Sequence, residues 1–185
     1  MKMISSKRTF LLMSVLMLGT IAMNASDNIV VEGSFANVKG ISKFNIEIDW
    51  TYLHVNGLNP EEWIRYRNAE QPAYDAEREY ERELKPRWTN LVMSANEKLN
   101  KKQIFLLPNA IEQEYTIIVS PHNIDKKGNL EAFCAIVNRN GKVLVKFALT
   151  GRGGIFGTMG NLWGDGFKSA GKNLAKVLDK NLKKQ

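Results

Sequence analysis

The sequence predicts an α+β fold: a two-layer domain with a mixed, mostly antiparallel sheet of about five strands, a long helical crossover, and a C-terminal helix on one face. Apolar and polar residues alternate over residues 44–51, which is the period of a strand with one buried face. Asn140-Gly141 joins two further β-like runs, and residues 166–182 carry an apolar stripe at helical spacing. One apolar face per strand and one stripe per helix fit two packed layers.

The length and composition are those of one globular domain. The chain has 185 residues, of which 44% are hydrophobic and 24% are charged. We divide it into a signal peptide at 1–25, a leader or edge strand at 26–43, and a single α+β domain at 44–185.

The first 25 residues have the parts of a secretory signal peptide. Lys2, Lys7 and Arg8 precede an uncharged run at 9–25 that ends in small residues. An uncleaved anchor is the alternative, because roughly 17 uncharged residues is the lower limit for crossing a bilayer. Cleavage would make the protein periplasmic or extracellular. No cysteine stands at the end of the apolar run or shortly after it, so a lipoprotein is not expected.

The charge balance argues against a nucleic-acid partner. The formal net charge of +7 falls to +4 when the three basic residues of the signal peptide are removed. Nucleic-acid-binding domains usually carry a concentrated basic face. The single cysteine, Cys134, excludes an intrachain disulfide.

The first predicted strand spans residues 44–55, with a bulge or two-sided burial where alternation breaks at Tyr52. Asn59 then caps a helix, and Pro72 and Pro86 should divide the helical crossover into three pieces. Only the last piece has a clear core stripe, formed by Trp88, Leu91, Val92, Ala95 and Leu99.

The second half of the chain predicts strands at 103–107, 115–120, 130–137 and 143–149. The first strand should be parallel to the one after the crossover, and the others should extend the sheet antiparallel. A type I′ turn at Asn140-Gly141 sets a register in which Ile136 faces Val145 and Cys134 faces Phe147. Cys134 should therefore point into the core.

The terminal helix should begin near Gly166 and place its apolar stripe against the sheet. The stripe consists of Phe167, Ala170, Leu174, Val177, Leu178 and Leu182, and the opposite side carries Lys168, Lys172, Lys176 and Lys180. These lysines are either the solvated side of an amphipathic helix or a contact with an anionic membrane surface.

The order of these elements resembles a known class of exported domains. The order is a signal peptide, a strand, a long helical stretch and further strands, and the last strand leads through Gly151-Arg152-Gly153-Gly154 into an Ala/Leu/Lys helix. This order is similar to that of small Gram-negative envelope domains of unknown function. Their architecture is like the amino-terminal domain of the periplasmic translocation protein TolB. The resemblance covers about residues 40–182 and implies an α+β envelope protein without a defined activity.

Motifs for chemistry are incomplete. Residues 166–172 fit a phosphate-loop pattern, but Asn173 stands where a Ser or Thr hydroxyl should hold magnesium. His122 with Cys134 is a candidate thiol pair, and Glu47 with Asp49 is a candidate carboxylate pair for a hydrolase. We expect no cofactor and no metal, and these pairs leave hydrolysis as an alternative function.

The glycine-rich run 151–166 is the leading candidate for a binding site. Its large apolar residues are Ile155, Phe156, Met159, Leu162 and Trp163. Placed in a loop, they form either an exposed interaction patch or a lid under the sheet. The sequence therefore predicts a non-enzymatic protein that binds another protein or itself.

Overall fold

The computed structural model describes residues 29–183, so the predicted signal peptide at 1–25 lies outside the described residues. The described part is an α+β domain with a mixed seven-stranded sheet and a C-terminal helix. Within that part, no helix is both long and apolar enough to cross a membrane.

The sheet has two more strands than predicted. Its members are β1 Val30–Gly33, β2 Lys43–Ile48, β3 His54–Val55, β4 Phe105–Pro108, β5 Tyr115–Ile124, β6 Leu130–Asn138 and β7 Val143–Gly151. The sheet order is β1-β7-β6-β5-β2-β4, and β3 pairs with β5 beyond the end of β2. β1 lies at one edge of the sheet. The predicted strand at 44–55 is divided: the last backbone bond of its first part joins Asp49 N–H to the Val119 carbonyl at 2.8 Å, and pairing with β5 resumes only at β3.

The sheet combines parallel and antiparallel pairs. β2 is parallel to β4, as predicted for the strand after the crossover, and β5, β6, β7 and β1 pair antiparallel in turn. The prediction that β5 extends the sheet antiparallel is wrong, because β5 lies parallel to β2 on its other side. β5 starts at the level where β4 ends, so the short connection 109–114 crosses β2 without reversing direction. Ala110 N–H donates to Asn45 Oδ1 at 3.0 Å during this crossing.

The β6–β7 hairpin has the predicted register but a different turn. Cys134 pairs with Phe147 and Ile136 pairs with Val145. Gly141 has a φ of 78°, whereas Asn140 is not left-handed. Gly141 N–H donates to the Asn138 carbonyl at 2.9 Å, and Asn138 N–H donates to the Lys142 carbonyl at 3.1 Å. These bonds define a three-residue loop that ends in a glycine bulge, which replaces the predicted type I′ turn.

The helical crossover has three pieces. α1 is Pro60–Glu70, α2 is Ala76–Arg78, and α3 is Trp88–Leu99. Asn59 forms the predicted cap: its Oδ1 accepts from Glu62 N–H at 2.9 Å, and Glu62 completes a capping box. The interruption predicted at Pro86 is wrong, because the chain stays helical from α2 to α3. A wide π-helical turn at Glu79–Leu84 and a 3₁₀ turn at Lys85–Arg87 carry α2 into α3.

The last helix, α4 Met159–Leu182, runs beside α3 in the same direction. Asn90 Nδ2 donates to the Gly164 carbonyl at 3.4 Å, and Ser94 Oγ donates to the Lys168 carbonyl at 2.8 Å. The predicted stripes of both helices are buried, except that Trp88 is only partly buried. Together with Cys134 and the inward side chains of β5, β6 and β7, these stripes form one core.

Candidate functional site

α4 begins at Met159, well before the predicted start at Gly166. Thr158 is its N-cap, and the Thr158 Oγ1 accepts from Asn161 N–H at 3.3 Å. The glycine-rich run is therefore a loop only over residues 152–158. The remainder of the run is the first part of a helix.

Close backbone approach explains some of the glycines in this run and one in the helix that follows it. A Cβ on Gly166 would overlap the carbonyl oxygen of Gly128 in the β5–β6 turn, and one on Gly151 would overlap the carbonyl oxygen of Gly166. A Cβ on Gly171 would overlap the carbonyl oxygen of Leu91 in α3. Glycine lowers helix propensity, but here it allows α4 to lie directly against two other segments.

The five apolar side chains of the run divide into two groups. Trp163 is fully buried, and its ring lies 5.9 Å from that of Trp63 in an edge-on arrangement. Met159 packs on the core and Leu162 is half-buried, so these three side chains belong to the start of α4 and are at least partly buried. Ile155 and Phe156 are 81% and 88% exposed. They are the part of the predicted patch that faces solvent.

The loop that carries Ile155 and Phe156 is held at both ends. On its N-terminal side, Arg152 N–H donates to Ser169 Oγ at 3.0 Å, and Gly153 N–H donates to Asn129 Oδ1 at 3.1 Å. On its C-terminal side, the Thr158 cap fixes the start of α4. The apolar tip is thus presented from an anchored loop.

The predicted lysines lie along the outer side of α4. Lys168, Lys172, Lys176 and Lys180 are all exposed. None of the four forms a salt bridge within residues 29–183. Residues 166–172, which fit the phosphate-loop pattern, lie inside α4, and Gly171 packs on α3. These residues therefore do not form a loop after a strand.

The candidate thiol pair is not brought together. Cys134 is fully buried on the core face of β6, and this burial raises the pKa of its thiol well above the usual value. His122 is exposed, and its ring lies 5.7 Å from the ring of His54. A buried thiol with a raised pKa supplies little thiolate, so Cys134 is a packing residue.

The candidate carboxylates are engaged in local hydrogen bonds. Glu47 Oε1 accepts from Asn45 Nδ2 at 2.6 Å. Asp49 Oδ1, past the end of β2, accepts from the backbone N–H and the hydroxyl of Thr51 at 3.0 and 2.6 Å. Across residues 29–183, no three or more His, Cys, Asp or Glu side chains form a group that could hold a metal ion.

Sequence reasoning missed the contact between His54 and His122. The available signal was a second Asn-Gly pair, Asn56-Gly57. Both residues have positive φ values, 55° and 79°, and they form a tight turn closed by two hydrogen bonds between Val55 and Leu58. This turn ends β3 beside β5 and places His54 next to His122.

Comparisons with known proteins do not assign this chain to a family. No family model matches it, and no curated protein matches it. A PelC variant dodecamer from Paraburkholderia phytofirmans has 10% sequence identity and a TM-score of 0.39, over 85% of this chain and 99% of that chain. Another PelC dodecamer from the same organism has 13% identity and a TM-score of 0.39, over 82% and 96%. A likeness at this level carries no functional argument, and the resemblance to the TolB domain stays a prediction.

Proposed function

We propose that this chain is an exported, non-enzymatic envelope protein with a two-layer domain that binds another protein, or a second copy of itself, through the loop 152–158. The supporting observation is that Ile155 and Phe156, adjacent in the sequence, are 81% and 88% exposed. Fully burying a side chain of this size contributes about 1.5–3 kcal/mol. A partner with an apolar cleft would gain that contribution from both residues.

The anchoring of the loop supports the same proposal. Binding is weakened by the ordering of mobile segments, and a loop that is already held loses less entropy when it docks. The hydrogen bonds of Arg152 and Gly153, together with the Thr158 cap, hold the two ends of this loop. Its tip has the properties of a central anchor: large, apolar and pre-positioned.

The alternatives have less support. The residues named for a hydrolase are either buried, as Cys134 is, or engaged in local hydrogen bonds, as Glu47 and Asp49 are. The lysines of α4 need no ligand to explain them, because an amphipathic helix on a sheet places its charged side in water. The proposal includes no cofactor.

Replacing Ile155 and Phe156 together by serine should abolish the interaction without unfolding the domain. Both side chains are almost fully exposed, so the free energy of unfolding should change by less than about 0.5 kcal/mol. Analytical ultracentrifugation would measure self-association. A photocrosslinking amino acid at position 156, introduced in the native host, would trap a protein partner.

The matched control is Ile111, which is 77% exposed in the loop between β4 and β5. Ile111→Ser should leave association unchanged, and a crosslinker at position 111 should not trap the same protein. The proposal fails if the wild-type protein stays monomeric at high concentration and position 156 gives no specific crosslink.

Export is a separate part of the proposal and rests on residues 1–25. Mass spectrometry of the protein recovered from its native host should find a new N-terminus near Ala22 or Ala25, because small residues lie at both positions. Recovery of the intact N-terminus in a cytoplasmic fraction would contradict export, and it would leave the loop interaction to be judged by its own test.

A further inference from the structure

The two histidines of the chain lie side by side in the fold. His54 is in β3 and His122 is in β5, far apart in the sequence, and these are the chain's full complement of histidines. Their ring centroids are 5.7 Å apart, with a 57° angle between the ring planes. The parallel pairing of β3 with β5 sets His54 opposite Asn123, the residue after His122.

Hydrogen bonds hold the two segments in this register. Asn56 N–H donates to the Ile124 carbonyl at 2.9 Å, and Gly57 N–H donates to Asn123 Oδ1 at 3.2 Å. His122 itself sits at an irregularity in the pairing of β5 with β6. Irregularities of this kind re-aim a side chain, and His122 is exposed.

A hydrogen bond of His54 indicates which of its ring nitrogens is left for a ligand. His54 Nδ1 lies 3.1 Å from the Tyr52 carbonyl oxygen. A carbonyl oxygen only accepts, so Nδ1 donates in this contact and Nε2 is the ring nitrogen left to face a ligand. Histidine ligands of metal ions commonly donate their other ring N–H to a carbonyl or carboxylate in this way, which fixes the ring and its tautomer.

We propose that His54 and His122 form a two-histidine binding site for a divalent transition-metal ion such as Zn²⁺ or Cu²⁺. Metal–nitrogen bonds of about 2.0–2.1 Å at a tetrahedral angle place two imidazole centroids about 5 Å apart. The observed centroid distance of 5.7 Å is close to that value, and the exposed His122 ring can rotate to aim a nitrogen at a shared ion. Imidazole nitrogen is a preferred ligand of these metals.

The ion would be exchangeable. Because no larger group of metal-ligating side chains occurs in the described part of the chain, water completes the coordination. This site is distinct from the loop 152–158, and its test is independent of the proposed protein interaction.

The test is a ZnCl₂ titration of the full chain, purified without a histidine tag and followed by NMR of the histidine ring protons. Two histidines give two Hε1 signals. Both should move together and saturate at one ion per chain. The ring nitrogen spectrum should show His54 with its proton on Nδ1 and the metal on Nε2. MgCl₂, which prefers oxygen ligands, should move neither signal.

His54→Gln and His122→Gln should each weaken Zn²⁺ binding by about tenfold or more, since each removes one of two protein ligands. Isothermal titration calorimetry would measure this loss, and circular dichroism would confirm that the variants fold. Glu77→Gln, at an exposed position in α2, is the matched control and should bind like the wild type. Zn²⁺ that moves neither histidine signal at equimolar concentration, or wild-type affinity in either variant, would overturn the proposal.

Discussion

Trp163→Ala is expected to lower the free energy of unfolding by about 3–5 kcal/mol, the usual cost of truncating a large buried aromatic side chain. Trp163 is fully buried at the start of α4 and meets Trp63 of α1 edge-on. Its loss would leave a cavity between the first and last helices. Urea unfolding, followed by far-UV circular dichroism, would measure the change.

Two further variants make this prediction specific. Phe156→Ala, seven positions earlier in the same glycine-rich run, should change stability by less than about 0.5 kcal/mol because its side chain is 88% exposed. Trp163→Phe should cost much less than Trp163→Ala. It keeps a ring in the core and removes an indole N–H that has no hydrogen-bond partner in the described part of the chain. Equal losses for Trp163→Ala and Phe156→Ala would contradict the observed division of the run.

Gly171→Ala should destabilise the protein by about 1–3 kcal/mol, the range expected for overpacking a well-packed interface. A glycine-to-alanine change inside a helix ordinarily stabilises a protein, because alanine is favoured over glycine there by about 0.5–1 kcal/mol. At Gly171 we expect the opposite change in stability. At Gly171 a Cβ would overlap the Leu91 carbonyl oxygen and Ser94 Oγ, and Ser94 Oγ also donates to the Lys168 carbonyl. Thermal and urea unfolding would report the loss.

Gly160→Ala is the matched control in the same helix. There the nearest atom to a new Cβ is Glu83 Oε2 at 2.6 Å, the end of an exposed and flexible side chain. The carboxylate can move away, so the variant should be neutral or more stable by less than about 1 kcal/mol. If Gly171→Ala stabilises the protein as Gly160→Ala does, α3 and α4 do not approach as closely as described.

The predictions that held depend on local pattern. The cap at Asn59 and the apolar stripe of α4 are set by neighbours within a few positions along the chain. The alternation predicted for β2 held only in part, because Asn45 is buried together with Phe44 and Ile46. The register of Cys134 with Phe147 also followed from sequence, because a short connection between two strands permits few pairings. The turn type did not follow, since the Asn-Gly pair is compatible with more than one short loop.

The predictions that failed depend on what lies opposite in space. Glycine indicates either a loop or a close contact, and the sequence near Gly166 does not say that the Gly128 carbonyl will lie against it. The parallel position of β5 depends on the crossing at Asn45, which only the assembled sheet defines. The contact of His54 with His122 depends in turn on that position.

The sequence by itself determined that this is an α+β domain with a lysine-edged terminal helix, because hydrophobic periodicity records which face of each element is buried. The tertiary structure alone decided how the glycine-rich run is used. Met159 and Trp163 lie in a helix whose glycines contact α3 and the β5–β6 turn, whereas Ile155 and Phe156 lie in solvent. Which of two neighbouring side chains is buried depends on the surfaces that pack together, and those surfaces come from distant parts of the chain.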